Sequence, residues 1–191
     1  NAYQSVVTPT AAVDNVAVRD VAFALMNRCV SAHAGTDGFD WTPTGGTTPH
    51  GVLIDCSAYR NGQAGNQSNN GITCHEGSKL VILGGLTQEN YGGNIALADT
   101  GNLGTEVLAI GHTARKSYGD ISLGGTINPV NYQVLSYSKM WLDHCVSEIL
   151  SGSTDRDVSA SGNSNLYYRN FSTIRPQRFE KTGSGNYSQY T

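Results

Sequence analysis

The stretch VLIDCSAYRNGQAGNQSNNGITCHEGSKLVILGG, residues 52–85, decides how the chain folds. Two apolar runs of one character, VLID from 52 and LVIL from 80, bracket a polar tract and a glycine-led strand that begins at Ile72. Runs of four or five Val, Ile and Leu suit a strand buried on both faces better than a helix. The same character precedes them in VAFALM at 21 and returns in EVLAIG at 106 and QVLSY at 133. Counted from Leu53 through Leu80 and Val107 to Val134, the steps are about 27 residues. Strands at even spacing with no helix between them predict the rungs of a repeat rather than βαβ units.

A second series runs between these runs. GFDW begins at Gly38, GITCHEG at Gly71, GNIALAD at Gly93 and GDISLGG at Gly119, so Phe39, Ile72, Ile95 and Ile121 align as equivalent apolar positions. Two interleaved series of short strands predict an all-β solenoid, a parallel sheet coil in which each turn of chain adds a strand to each sheet. The tracts at 41–51 and 60–71 are then loops on successive turns, and longer loops absorb the uneven steps at modest entropic cost. A sheet sandwich is the competing architecture, but hairpin signatures and strict inside-outside alternation are missing. Beyond residue 150 the pattern weakens, which predicts coils over 1–150 and an irregular cap, tail or oligomer-contact segment over 151–191. The chain starts with Asn and reads as a piece of something longer.

Composition removes several function classes. The formal charge is −3, from 12 Lys and Arg against 15 Asp and Glu, and the charges are dispersed, so no basic face for nucleic acid is expected. No run of 18 apolar residues exists, so no membrane insertion is expected. The 23 glycines with only five prolines fit a folded, turn-rich chain. Cys29, Cys56, Cys74 and Cys145 form no CxxC motif; they could make two bridges or serve as small buried hydrophobes. Nucleophile-elbow, Walker A and dinucleotide motifs are absent from the sequence.

The segments VLIDCSAYRNG, SNNGITCHEG and LVILGGLTQENYGGNIALADTGN resemble the coils of right-handed parallel β-helix proteins of the pectate-lyase-like class. That class includes phage tailspikes and polysaccharide-degrading enzymes. The resemblance covers about residues 15–145 and lies in texture and rung spacing. It implies a single-stranded right-handed β-helix that binds or cleaves an acidic polysaccharide along an exposed sheet face. It further implies an extracellular or virion-surface location, on a phage tail, and a homotrimer.

Chemistry is expected where the rungs align polar residues. Equivalence of the glycine-led strands puts Asp40 level with Thr73, Ala96 and Ser122, His75 level with Ala98, and Glu76 level with Asp99. Parallel rungs lie about 4.8 Å apart, so Glu76 and Asp99 are candidates for the paired carboxyls of a glycoside hydrolase. Asp40 and Asp37 are further acids, and His75 could orient or share a proton. Uronate β-elimination is the other chemistry, to which His75, Lys79 and Arg60 could contribute, but they form no aligned trio and glycoside hydrolysis is preferred. Trp41 and Tyr91 could stack on sugar rings while Arg60, Asn61, Asn69 and Asn70 bind hydroxyls; Tyr59, Tyr118, Gln63, Asn66 and Gln88 are lesser candidates. His112 and His144 are expected to pack locally. No cofactor motif is present, although the turns DTGN at 99 and STDRD at 153 could attract calcium without matching an EF-hand. The non-catalytic reading is a glycan-binding or structural tail or adhesin segment.

Overall fold

A computed structural model describes residues 4–6, 16–62, 69–116, 130–149, 156–174 and 179–190. These hold 21 short strands in three seven-stranded parallel sheets. Sheet A contains β1 (Gln4–Val6), β4 (Val30–Ala32), β7 (Ser57–Tyr59), β10 (Leu86–Gln88), β13 (Thr113–Lys116), β16 (Val146–Ile149) and β19 (Ser172–Thr173). Sheet B contains β2 (Val16–Val18), β5 (Phe39–Trp41), β8 (Ile72–His75), β11 (Ile95–Ala98), β14 (Val130–Val134), β17 (Arg156–Ser161) and β20 (Phe179–Thr182). Sheet C contains β3 (Phe23–Asn27), β6 (His50–Ile54), β9 (Lys79–Leu83), β12 (Glu106–Ile110), β15 (Lys139–Asp143), β18 (Asn165–Arg169) and β21 (Asn186–Gln189). The chain visits B, C and A in turn, and each strand pairs with its equivalents one coil away: this is a right-handed, single-stranded parallel β-helix. Among the described residues no helix is long and apolar enough to cross a membrane.

The apolar runs are read correctly as strands, and the register settles their alignment. Phe39, Ile72 and Ile95 do stack, as expected, and Tyr132 follows them. The strand expected from Gly119, with Ile121 and Ser122, lies outside the described residues. Val134 was expected to continue the run of Leu53, Leu80 and Val107, but β14 belongs to sheet B and β15 continues sheet C. Leu53 pairs with Ile82, two residues beyond Leu80. Because side chains alternate with a period of two, both still point inward. The expected irregular segment from 151 is also corrected for the described residues: β17 to β21 extend all three sheets, so residues 156–174 and 179–190 continue the coils.

Sheets B and C fill the interior with large side chains, including Phe39, Trp41, Leu53, Ile72, Leu80, Ile95 and Met140. Sheet A turns mostly small side chains inward, Ser31, Ala58, Thr87, Ala114 and Ser147, with Lys116 and Ile149 buried at the ends of β13 and β16. Its corner with sheet B is filled by a polar ladder running along the coil axis. Asn61 donates to Asn90 (2.9 Å), Asn90 to Asn94 (2.8 Å), Asn94 to Asn131 (2.7 Å), Asn131 to Ser147 (2.7 Å) and Ser147 to Asp157 (2.5 Å). All of these side chains are buried, and each amide stands in for the water its neighbour has lost.

Six two-residue corners join sheet C to sheet A: Arg28–Cys29, Asp55–Cys56, Gly84–Gly85, Gly111–His112, His144–Cys145 and Asn170–Phe171. The first residue of each has φ between 49 and 66°, a left-handed conformation that Gly, Asn, Asp and His adopt most readily. The second slot packs against the interior in every described coil where it is buried: Cys56, His112, Cys145 and Phe171.

Candidate functional site

The polar residues with the densest charged geometry meet on the outer face of sheet B. Alternation along β5 turns Phe39 and Trp41 inward and leaves Asp40 outside, opposite Thr73 of β8. Arg19 follows β2 and reaches across one rung, its Nη2 donating to Asp40 Oδ2 at 2.9 Å. Thr42, two residues beyond Asp40 on the same face, donates through Oγ1 to Asp40 Oδ1 at 2.6 Å. His75 at the end of β8 brings Nε2 to 3.7 Å from the same Oδ1. Asp40 is only 3% exposed, whereas the Arg19 and His75 side chains keep 43% and 31% of their surface open. Beside this group Asp37 Oδ1 accepts from the Asn70 N–H (2.5 Å) and from Thr73 Oγ1 (2.6 Å). A carboxylate held by a guanidinium and a hydroxyl, with an accessible imidazole beside it, is an arrangement that can orient the imidazole for proton transfer.

Glu76 and Asp99 stand one rung apart, since His75 pairs with Ala98, but both carboxylates serve the turn at 99–105. Asp99 is fully buried; its Oδ1 accepts from the Leu103 N–H (2.9 Å) and its Oδ2 from the Thr105 N–H (2.8 Å). Burial pushes the Asp99 carboxyl up, yet these N–H groups outweigh it and hold the group below its ordinary value. A general acid in glycoside hydrolysis needs the opposite shift. Glu76 accepts from the Thr100 N–H and hydroxyl on Oε1 and from the Gly101 N–H on Oε2. The paired-carboxyl expectation is therefore corrected: the two residues cap a turn. The same donors occupy the oxygens that calcium would need at DTGN, and among the described residues no group of three or more His, Cys, Asp or Glu could hold an ion. The first residues of STDRD lie outside the described residues.

Most of the expected sugar-binding residues are inside the solenoid. Trp41 is fully buried in the core, and a Cβ at Gly51 would meet its Nε1 at 2.8 Å. Tyr91 is buried too, and Asn61 belongs to the polar ladder. Asn69 donates to the Gly35 carbonyl, while Asn70 donates to Thr73 Oγ1 and accepts from the Gly93 N–H. These amides hold loops together, so the five residues have no surface for a ligand. Arg60 is exposed at the end of β7. The three residues considered for elimination are dispersed, because His75 is on sheet B, Arg60 follows sheet A, and Lys79 on sheet C pairs with Glu106 at 3.1 Å. Tyr118, Gln63 and Asn66 lie outside the described residues. His112 is buried with its Nδ1 3.3 Å from the Tyr132 hydroxyl, and exposed His144 contacts Asp143 at 2.7 Å, so both pack locally as expected.

Two grooves follow the outside of the coil. One, of about 420 Å³, lies on sheet A and is lined by Val30, Ser57, Tyr59, Leu86 and Gln88. Tyr59 pairs with Gln88, which pairs with Arg115, which pairs with Glu148, so one outward row runs aromatic, amide, cation and acid. The other, of about 690 Å³, lies on sheet C over Val52, Val81, Leu108 and Trp141. That floor is apolar, and Trp141 spends one ring face on Tyr167, stacked at 5.3 Å. The sequence pointed to Tyr59 and Gln88 individually but gave no sign that they adjoin. Arg19 carried no signal, whereas Thr42 was within reach as the next outward residue after Asp40. Set against protein-family models, curated proteins and solved structures, the chain matches none of them.

Proposed function

We propose that the protein binds a polysaccharide along the outside of sheet A. The observation that carries this reading is the open groove in which Tyr59 and Gln88 adjoin, with Ser57 beside them and Arg115 one rung on. A half-buried tyrosine offers a flat apolar face to a sugar ring and the amide and hydroxyl suit sugar hydroxyls, while the Arg115 guanidinium is held by Glu148 at 2.5 Å. His33 packs edge-on against Tyr59 at 5.7 Å and limits its swing. Parallel β-helices commonly bind or act on glycans, which supports the reading as analogy of fold. Under it the protein works outside a cell or at a phage-tail surface, and native mass measurement tests for the homotrimer that the resemblance implies.

Cleavage is the second reading, favoured by the approach of His75 to Asp40. There His75 is the proton-transfer group and Asp40 orients it. Uronate elimination, which needs a base rather than two carboxyls, fits this better than hydrolysis by Glu76 and Asp99. Titration of immobilised neutral and uronate polysaccharides with wild type, Tyr59→Ala and His75→Gln separates the two. Loss of a ring contact worth about 0.5–1.5 kcal/mol predicts affinity about two- to twelvefold weaker for Tyr59→Ala. Unchanged affinity in that variant overturns the sheet A site. Unsaturated ends formed by wild type and not by His75→Gln establish cleavage; intact chains in both leave binding alone.

A further inference from the structure

We propose that Cys29 and Cys56 are an oxidation site: a disulfide-class oxidant joins them into a bond that staples the first complete coil to the second. This rests on the corner geometry and not on the glycan reading. Asn27 pairs with Ile54 and Val30 with Ser57, so Cys29 and Cys56 occupy the same slot of successive sheet C to sheet A corners. Rungs about 4.8 Å apart fall inside the Cα separation of about 4.4–6.8 Å that disulfides use. The Cys29 N–H donates to Cys56 Sγ at 3.4 Å, which places the Cys56 sulfur directly against the Cys29 backbone.

The register leaves the other thiols without such a neighbour. In the same corner slot the following coils hold Gly85, His112, Cys145 and Phe171, so Cys145 lies between an imidazole and a phenyl ring. Cys74 sits in sheet B between Trp41 and Leu97. The stapled position matters because, among the described residues, β3 has one sheet C neighbour, β6. A bond at the adjoining corner ties that strand down.

The chemistry balances with a small disulfide such as oxidised glutathione as the co-reactant. Half-buried Cys29 attacks it as the thiolate, forming a mixed disulfide and releasing one glutathione thiolate. The Cys56 thiolate then attacks the Cys29 sulfur and releases the second glutathione thiolate. Two protein thiols become one disulfide, one glutathione disulfide becomes two thiols, and the two protons pass to the released thiolates. Burial raises the Cys56 thiol, so its attack speeds up as the pH rises.

The test uses the whole chain, equilibrated with reduced and oxidised glutathione, quenched with an alkylating agent under denaturing conditions, and digested with trypsin. No Lys or Arg occurs between Arg28 and Arg60, so both sulfurs fall on one peptide, residues 29–60. The expected product is that peptide lighter by two hydrogens and carrying no alkyl group, with the Cys74 and Cys145 peptides alkylated. Two alkyl groups on peptide 29–60, or a glutathione adduct that never resolves, overturns the proposal. Hydrogen exchange across β3 reads the staple itself: several-fold slower exchange in the oxidised form is expected, and none in Cys29→Ala treated alike. Equal β3 exchange before and after oxidation overturns the stapling.

Discussion

Replacing His112 with Phe should abolish most of the loss of stability that the protein undergoes between pH 8 and pH 5. His112 is fully buried in the second slot of a sheet C to sheet A corner, and its Nε2 has no partner among the described residues. Burial pushes the imidazole down to about 3. In the unfolded chain its value returns to about 6.5, so the unfolded state takes up the proton first. The folded value lies below the unfolded one; this stabilisation is therefore complete above about pH 6.5 and disappears as the pH falls toward 3. At pH 5, one and a half pH units below the unfolded value at about 1.4 kcal/mol per unit, the loss is about 2 kcal/mol. It does not depend on the exact folded value, because the buried ring is still neutral there. The carboxylates act outside this window: Arg169 and the other partners of Asp143 hold its carboxyl at about 2, and Asp99 is also below its ordinary value. Phe is the suitable replacement because Phe171 fills the equivalent slot two coils on. Urea unfolding followed by tryptophan fluorescence at pH 8 and pH 5 gives the comparison. If wild type and His112→Phe lose the same free energy within about 0.5 kcal/mol, the imidazole is not buried neutral and the reasoning fails.

Two further outcomes follow from the interior. Asn90→Leu removes the acceptor of the Asn61 backbone N–H and the side-chain donor to the Ala58 carbonyl, and leaves Asn61 Nδ2 only the Ser31 carbonyl and Asn94 Oδ1 only the residue 90 N–H, so at about 1–3 kcal/mol for each buried group left unpaired the melting point should fall by several degrees; a shift of only a degree or two would mean that water fills the ladder. Trp41→Ala should cost about 3–5 kcal/mol in urea unfolding and leave the affinity of the folded fraction for any glycan unchanged, whereas weaker binding by a fully folded variant would return Trp41 to the surface.

What the sequence made legible was bulk. Val, Ile and Leu recurring at about one coil length mark sheets B and C, because those strands supply the large interior side chains. Sheet A was hard to see for the same reason, since SAY and LTQ turn only Ala58 and Thr87 inward and VSEI adds Ser147 and Ile149, too few large side chains to set an apolar period. Amides were misread in the opposite sense. In an isolated strand an asparagine belongs at the surface, but in a coil it finds an identical neighbour one rung away and can be buried with its bonds satisfied. The placement of Trp41 was a failure of parity rather than of information. With Phe39 assigned to the interior, a period of two forces Trp41 inward and Asp40 outward, and that alternation was already present in GFDW.

Chemistry in this fold is written between coils, so a motif search along the chain passes over it. Arg19 meets Asp40 across 21 residues, Cys29 meets Cys56 across 27, and Asn61 meets Asn90 across 29. Adjacent residues behave differently: His75 and Glu76 are neighbours in the chain, yet His75 turns back toward Asp40 on the previous rung while Glu76 caps the turn on the next. The positive φ of Glu76 marks the point where the strand ends and the two directions part. A substitution at either residue therefore acts on a different coil from the other. A His75→Gln variant tests the sheet B face, and Glu76→Gln tests the 99–105 turn. Treating HEG as one functional unit would merge two effects that the solenoid keeps two coils apart.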